Sequence, residues 1–238
     1  MKIADTLVNR ASGLPGIGVM FGYSGYGKTV AANYVRNATG AHLIEVKSYW
    51  SKKAFAESLL VALHDPNPKG TVTQMLDRAI RILGDDPKRP LLIDEADIAI
   101  DKGWIDDIRG LQEAAQVPMI LVGEERLPRK IERSERTFDR VLHSAWYMAL
   151  PCDEADARQL ARLFCPDVEL ADDLILEIIK QTSGKARRIV TTCHSIREWA
   201  RLHGAQSVDA KSYGGDFATG RVPTRHMVEG TRSSRARV

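Results

Sequence analysis

Two short stretches of this 238-residue sequence place reactive groups at spacings that suit one another. The first is Gly22-Tyr23-Ser24-Gly25-Tyr26-Gly27-Lys28-Thr29, continued by Val30, which fits the pattern G-x-x-x-x-G-K-[ST] in full. Glycines at these places let backbone N–H groups curl around phosphate oxygens, and a helix starting at the loop's end adds partial positive charge. Lys28 is then the cation for the β- and γ-phosphates, and the Thr29 hydroxyl is a ligand for Mg2+. The second stretch, Leu91-Leu92-Ile93-Asp94-Glu95, sets two carboxylates at the end of an apolar run. There Asp94 is placed to hold Mg2+, directly or through water, and Glu95 to orient and deprotonate an attacking water. The chemistry these groups suit is hydrolysis of a nucleoside triphosphate. No Asn-Lys-x-Asp motif for reading guanine occurs, so ATP is the expected nucleotide.

Such groups work only if strands and helices bring them together. Runs rich in Val, Ile and Leu occur at 17–21, 42–46, 91–93 and 119–122, with a weaker one at 145–150. Unbroken apolar runs of this length suit strands buried on both faces. Between them, apolar residues recur at helical spacing, as in Phe55, Leu59 and Leu63, or Met75, Ala79 and Leu83. The alternation predicts an α/β fold, a mostly parallel five-stranded sheet sandwiched by helices. In such a sheet ligands sit at the carboxyl ends of the strands, where both motifs fall. After Pro151 the strand signals stop. Helical stretches at about 153–164, 171–181 and 185–203 predict a small all-helical lid. The expected divisions are an N-terminal lead-in over 1–16, the P-loop α/β domain over 17–151, the lid over 152–205 and a flexible basic tail over 206–238.

Composition excludes several classes. With 44% hydrophobic and 27% charged residues, the chain is not disordered, collagen-like or a disulfide scaffold. No apolar run approaches the ~20 residues of a membrane helix, so no membrane partner is expected. No basic start followed by an apolar stretch marks a secretory signal, and a cytoplasmic location is expected. Cys152, Cys165 and Cys193 form no Cys-x-x-Cys pair and read as buried thiols in a reducing compartment. Six basic and three acidic residues lie in 206–238, so the whole net charge of +3 resides in that tail. The six histidines show no paired ligand spacing.

The two motifs, together with Ile120-Leu121-Val122-Gly123-Glu124-Glu125-Arg126-Leu127-Pro128 and Ser183-Gly184-Lys185-Ala186-Arg187-Arg188-Ile189-Val190, resemble those of an AAA+ ATPase. They are more similar still to the phage Mu-type transposition protein B family, over residues of about 10 to 203. The resemblance implies ATP and Mg2+ as cofactors and sequence-nonspecific binding of duplex DNA. It also implies homo-oligomeric helical filaments and a transposase that receives the target DNA. It implies active sites shared between subunits, with Arg140 as the arginine finger and Arg136 competing for the role. Arg188, or its neighbour Arg187, corresponds to a lid arginine that reads the γ-phosphate. One departure is Glu124, which stands where such ATPases carry a polar Asn, Ser or Thr. Either this carboxylate points away from the phosphate or hydrolysis is slow. The Mu-type protein also carries an N-terminal helix-turn-helix domain, whereas about 16 residues precede the first strand here, so DNA contacts are expected within the ATPase domain itself.

For DNA the resemblance points to the end of the second strand, Lys47-Ser48-Tyr49-Trp50-Ser51-Lys52-Lys53, which mixes basic and aromatic residues. Lys52 and Lys53 are the expected phosphate contacts, with Lys47 behind them. The alternatives are a helicase loader with the same nucleotide motifs, and a P-loop signalling ATPase that binds no DNA.

Overall fold

Only a strand covered on both faces can bury every side chain it carries, and the unbroken apolar runs become such strands. The computed structural model describes residues 2–221. The chain divides into two compact units, one ending at Leu150 and the other starting at Pro151. The first runs α1 (Lys2–Val8), β1 (Ile17–Phe21), α2 (Lys28–Thr39), β2 (His42–Glu45), α3 (Lys52–Ala62), α4 (Val72–Asp85), β3 (Leu91–Asp94), α5 (Ala96–Asp101), α6 (Ile105–Ala115), β4 (Met119–Gly123), α7 (Leu127–Glu132), α8 (Glu135–Phe138) and β5 (Val141–Met148). The five strands are all parallel, in the order β2-β3-β4-β1-β5. This is the α/β sandwich expected from the sequence.

β3 and β4, in the middle, are buried at every position, whereas the edge strand β5 exposes His143, Ser144, Tyr147 and Met148. The polar pair His143-Ser144 is why its apolar run reads only from 145 although the strand starts at Val141. Side chains that alternate along a strand fill opposite layers. Ile93 and Leu121 join Phe55, Leu59, Met75 and Ile108 on one face. Leu92 and Ile120 join Ile3, Leu7, Ala32 and Val35 on the other. The N-terminal lead-in is therefore partly a helix, since α1 buries Ile3, Ala4 and Leu7. Polar caps fix the helix starts: Ser51 accepts the Ala54 N–H at α3, and Thr71 with Gln74 forms a capping box at α4.

The second unit contains α9 (Glu154–Phe164), β6 (Glu169–Leu170), α10 (Asp172–Thr182), α11 (Ala186–His203) and β7 (Ser207–Val208). It is helical except for one short parallel pair, Glu169-Leu170 beside Ser207-Val208, which the all-helical expectation misses. The tail expected to be flexible from 206 is packed as far as it is described. Val208 and Tyr213 are buried, Tyr213 meets Trp199 and Phe217 edge-on, and the Ala218 N–H donates to the buried Thr192 hydroxyl at 3.0 Å. Single anchors spaced along irregular chain carry no helical period, which is why the sequence hides them. Arg225, Arg232, Arg235 and Arg237, the most basic part of the tail, lie outside the described residues. Among the described residues the three cysteines are free thiols, and no helix is long and apolar enough to cross a membrane.

Phe55 is 1% exposed and packs against the Trp104 ring at 5.6 Å, bridging α3 to the α6 side of the layer. Phe55→Ala is expected to lower the unfolding free energy by about 3–5 kcal/mol, read as a shifted urea midpoint.

Candidate nucleotide site

Strand register decides which loops meet. Ile17, Met119 and Leu91 lie side by side, as do Val19, Leu121 and Ile93. Two residues on, Phe21 pairs with Gly123, while β3 ends at Asp94, one residue past Ile93. β1 and β3 flank β4, so the two motifs emerge roughly 10 Å apart at the carboxyl edge of the sheet.

The glycine loop is shaped for phosphate oxygens. Gly27 sits in the left-handed region at φ 85° as the residue before α2. No side chain caps that helix. The Ala31 N–H donates back to Gly27 at 2.9 Å, so the preceding N–H groups of Lys28, Thr29 and Val30 have no acceptor within the helix. Tyr23, Ser24, Thr29 and Val30 are exposed, while Gly25, Tyr26, Gly27 and Lys28 are half-buried and Gly22 is buried. Lys28 Nζ donates to the carbonyls of Gly22 (2.7 Å) and Tyr23 (3.0 Å), which pins the ammonium over the loop. A run of free N–H donors with a lysine above it fits a polyphosphate.

Across the edge, Asp94 is 3% exposed and its Oδ1 accepts the Glu95 N–H at 2.9 Å. Among the described residues no hydrogen bond engages Asp94 Oδ2, which leaves one carboxylate oxygen for a cation. No three His, Cys, Asp or Glu side chains among the described residues form a metal cage. Thr29 and Asp94 therefore suit Mg2+, which usually keeps waters and substrate phosphates among its ligands. Glu95 has φ 56° and ψ 38°, a left-handed conformation that non-glycine residues seldom adopt and that clusters at functional sites. Burial raises its pKa above the usual carboxylate range, helped by the charges of Asp94, Glu124 and Asp97, while Lys28 works the other way. A raised pKa of this kind suits a proton acceptor. Glu124 itself is exposed, yet its charge reaches Glu95.

Sequence reasoning missed the group that fastens this edge. Asp97, 5% exposed, accepts the Glu124 N–H at 2.6 Å through Oδ2, and Oδ1 faces Lys130 Nζ at 3.5 Å without a hydrogen bond. Burial works against the Lys130 charge, but Asp101, at 2.6 Å, and Asp97 overcome it and raise its pKa. Gly123 must be glycine, because a Cβ there would collide with Asp97 Oδ2. The only signal in the sequence was a third acid two residues after Glu95.

The other predicted residues are less uniformly placed. Arg140, 50% exposed at its side chain, pairs through Nε with Glu113, which Arg109 also holds at 2.5 Å. Arg136 is exposed and pairs with no carboxylate among the described residues. In the second unit Arg187 is exposed on the first turn of α11, whereas the Arg188 guanidinium lies against Gly220. Each predicted DNA lysine has an acidic partner: Lys47 with Glu45 (2.5 Å), Lys52 with Asp107 (2.8 Å) and Lys53 with Glu57 (3.9 Å). Trp50 packs against the core and Tyr49 is exposed.

Comparison with known proteins agrees with this fold. A family model described as an AAA domain matches residues 11–131. No curated protein sequence matches. Among solved structures, the chain is similar to the Aeropyrum pernix Orc1 protein in complex with DNA (TM-score 0.63, 16% identity, covering 98% of this chain and 63% of that one). It is similar to Cdc6p from Pyrobaculum aerophilum (0.62, 16%, 87% and 61%). It is also similar to domain III of the Thermotoga maritima replication initiation protein DnaA (0.55, 19%, 89% and 86%). This chain spans about three-fifths of the length of the first two, and at these identities the likeness concerns the fold.

The crowded carboxylates have a measurable consequence. The base form of Glu95 is lost on acidification at a higher pH than for an ordinary carboxylate. Glu124→Gln removes one of the charges that raise its pKa, so the acid limb of the kcat/KM profile for nucleotide hydrolysis is expected to move to lower pH.

Proposed function

The chain belongs to the AAA domain family, and on that footing we propose that it is an ATPase that binds duplex DNA without sequence preference and assembles with copies of itself on it. The observation that carries the ATPase is the meeting, at one sheet edge, of the Lys28 loop with a buried Asp94 and a left-handed Glu95 of raised pKa. The N–H groups of Lys28, Thr29 and Val30 and the Lys28 ammonium bind and orient the phosphates of ATP, and Tyr23 to Gly27 line the turn. Thr29 and Asp94 would hold Mg2+, which supplies neutralising charge on the phosphates when bound. Glu95 accepts a proton from the water that attacks the γ-phosphorus, and Lys28 stabilises the charge that leaves with ADP.

The arginine roles follow from accessibility. Arg136, exposed and unpaired among the described residues, is the better finger toward a neighbouring copy, because Arg140 would first have to release Glu113. Of the two lid arginines that the resemblance implies, Arg187 is exposed and the Arg188 guanidinium lies against Gly220. The recipient of the DNA is a transposase in the reading that the Mu-type sequence resemblance supports. A helicase loader would share the nucleotide site and differ in its partner.

ATP turnover measured with and without random-sequence duplex DNA tests this reading, together with co-sedimentation in a non-hydrolysable ATP analogue. DNA is expected to stimulate turnover, and the analogue to drive DNA-bound assemblies that Lys28→Ala abolishes. Glu95→Gln is expected to keep ATP binding and to slow hydrolysis by roughly 10²–10⁴-fold. Turnover indifferent to DNA, with no ATP-dependent assembly, would remove the DNA function and leave a nucleotide hydrolase.

A further inference from the structure

The lysines that sequence pattern offers to DNA are a weak surface for it. Lys47, Lys52 and Lys53 each face a carboxylate of the same unit, so their net local charge is close to zero. Nonspecific duplex binding depends on cations that are free to displace the counterions of phosphates.

α7 offers a different surface. The residues flanking it, Arg126 (φ −91°, ψ −6°) and Arg133 (φ −66°, ψ −19°), both have right-handed helical backbone, so the helical path runs from 126 to 133. Advancing about 100° per residue, Arg126, Arg129 and Arg133 share an arc of roughly 60°. Leu127 and Ile131, both fully buried, anchor the opposite side in the core. Lys130, between the two faces, is tied to Asp97 and Asp101. All three arginines are exposed, Arg126 by 81% of its side chain. Arg126 pairs with Glu125 at 4.0 Å, as loosely as Lys53 does with Glu57, so the unpaired cations of this face are Arg129 and Arg133. No described carboxylate lies within pairing distance of Arg129 or Arg133, and the exposed Glu132 lies on the flank of the arc.

Helix electrostatics explains part of this pattern but not all of it. Cations near a helix C-terminus complement its dipole, which suits Arg129 and Arg133. Arg126 stands at the N-terminal end, where a cation is disfavoured, so helix stability is no reason for it. Neighbours three and four apart on a helix are about 5–6 Å apart at Cβ, a spacing at which long arginines can reach successive phosphates of one strand.

We propose that the arginine face of α7, formed by Arg126, Arg129 and Arg133, holds the phosphate backbone of duplex DNA, in place of the lysines at the start of α3. This rests on the DNA-binding reading above and names its surface.

The test is fluorescence anisotropy of the full chain on a random-sequence duplex, over a NaCl series, in the presence of a non-hydrolysable ATP analogue. Arg129→Gln/Arg133→Gln is expected to reduce the slope of log K against log[NaCl] by about 2, at roughly 0.9 per lost contact, and to weaken binding about tenfold or more. Arg129→Lys/Arg133→Lys is expected to retain the wild-type slope, and Lys52→Gln/Lys53→Gln to leave it unchanged. Binding of a fluorescent ATP analogue is expected to be equal in all variants. A slope lost in the lysine variant and kept in the arginine-to-glutamine one would overturn the proposal. So would an arginine variant that fails to self-associate in sedimentation yet binds DNA with the wild-type slope, since that would assign the face to contacts between copies. Wild-type protein that binds no duplex would instead overturn the DNA reading itself.

Discussion

The constraint on which the rest of the site depends is the crowding of carboxylates at the end of β3. Asp94 and Asp97 are almost wholly buried, Glu95 is partly so, and the charge of Glu124 is felt from the next strand end. Like charges gathered where water is scarce repel one another, and a buried carboxylate is costly unless it is paired or hydrogen-bonded. Each acid has a separate answer. Asp94 accepts the Glu95 N–H, and Asp97 accepts the Glu124 N–H and faces Lys130. Glu95 has Lys28 nearby but no such bond, and its pKa carries the consequence. The group left least compensated is the one placed to take a proton.

Glu124 looks unfavourable as sequence, because a carboxylate beside a γ-phosphate repels it. The fold gives it a second function through its backbone. Its N–H is the donor that satisfies Asp97, and Gly123 before it provides the close approach that the bond needs. The loop after β4 is thereby tied to the helix that follows Glu95, and through Lys130 to α7. Backbone geometry sets this arrangement, so side-chain identity at 124 is free to tune the field at Glu95.

Much of this was legible in the sequence because it rests on local rules. A glycine-rich turn between an apolar run and a helical one specifies the phosphate loop. Apolar runs of three to five residues specify interior parallel strands, and β1, β3 and β4 appear where those runs lie. What stayed hidden depends on contacts distant in the chain. The tie between Asp97 and Glu124 spans 27 residues, and that between Lys52 and Asp107 joins two helices. Neither leaves a period or a motif. The packing of Tyr213 and Phe217 on the second unit is of the same kind.

Charge shows the same difference between inventory and arrangement. A count over the chain up to residue 205 balances to zero and suggests no field, and a basic cluster around Lys52 suggests a local one. Once the chain is folded, both impressions change. Lys52 is matched by Asp107 from another helix, and Lys47 and Lys53 by acids two and four residues away, while Arg129 and Arg133 of α7 have no paired carboxylate among the described residues on a face turned away from the core. A neutral body can therefore carry a strip of uncompensated positive charge, because folding pairs some ions and isolates others. Unpaired cations, rather than all the cations in the sequence, determine where a polyanion gains free energy by binding.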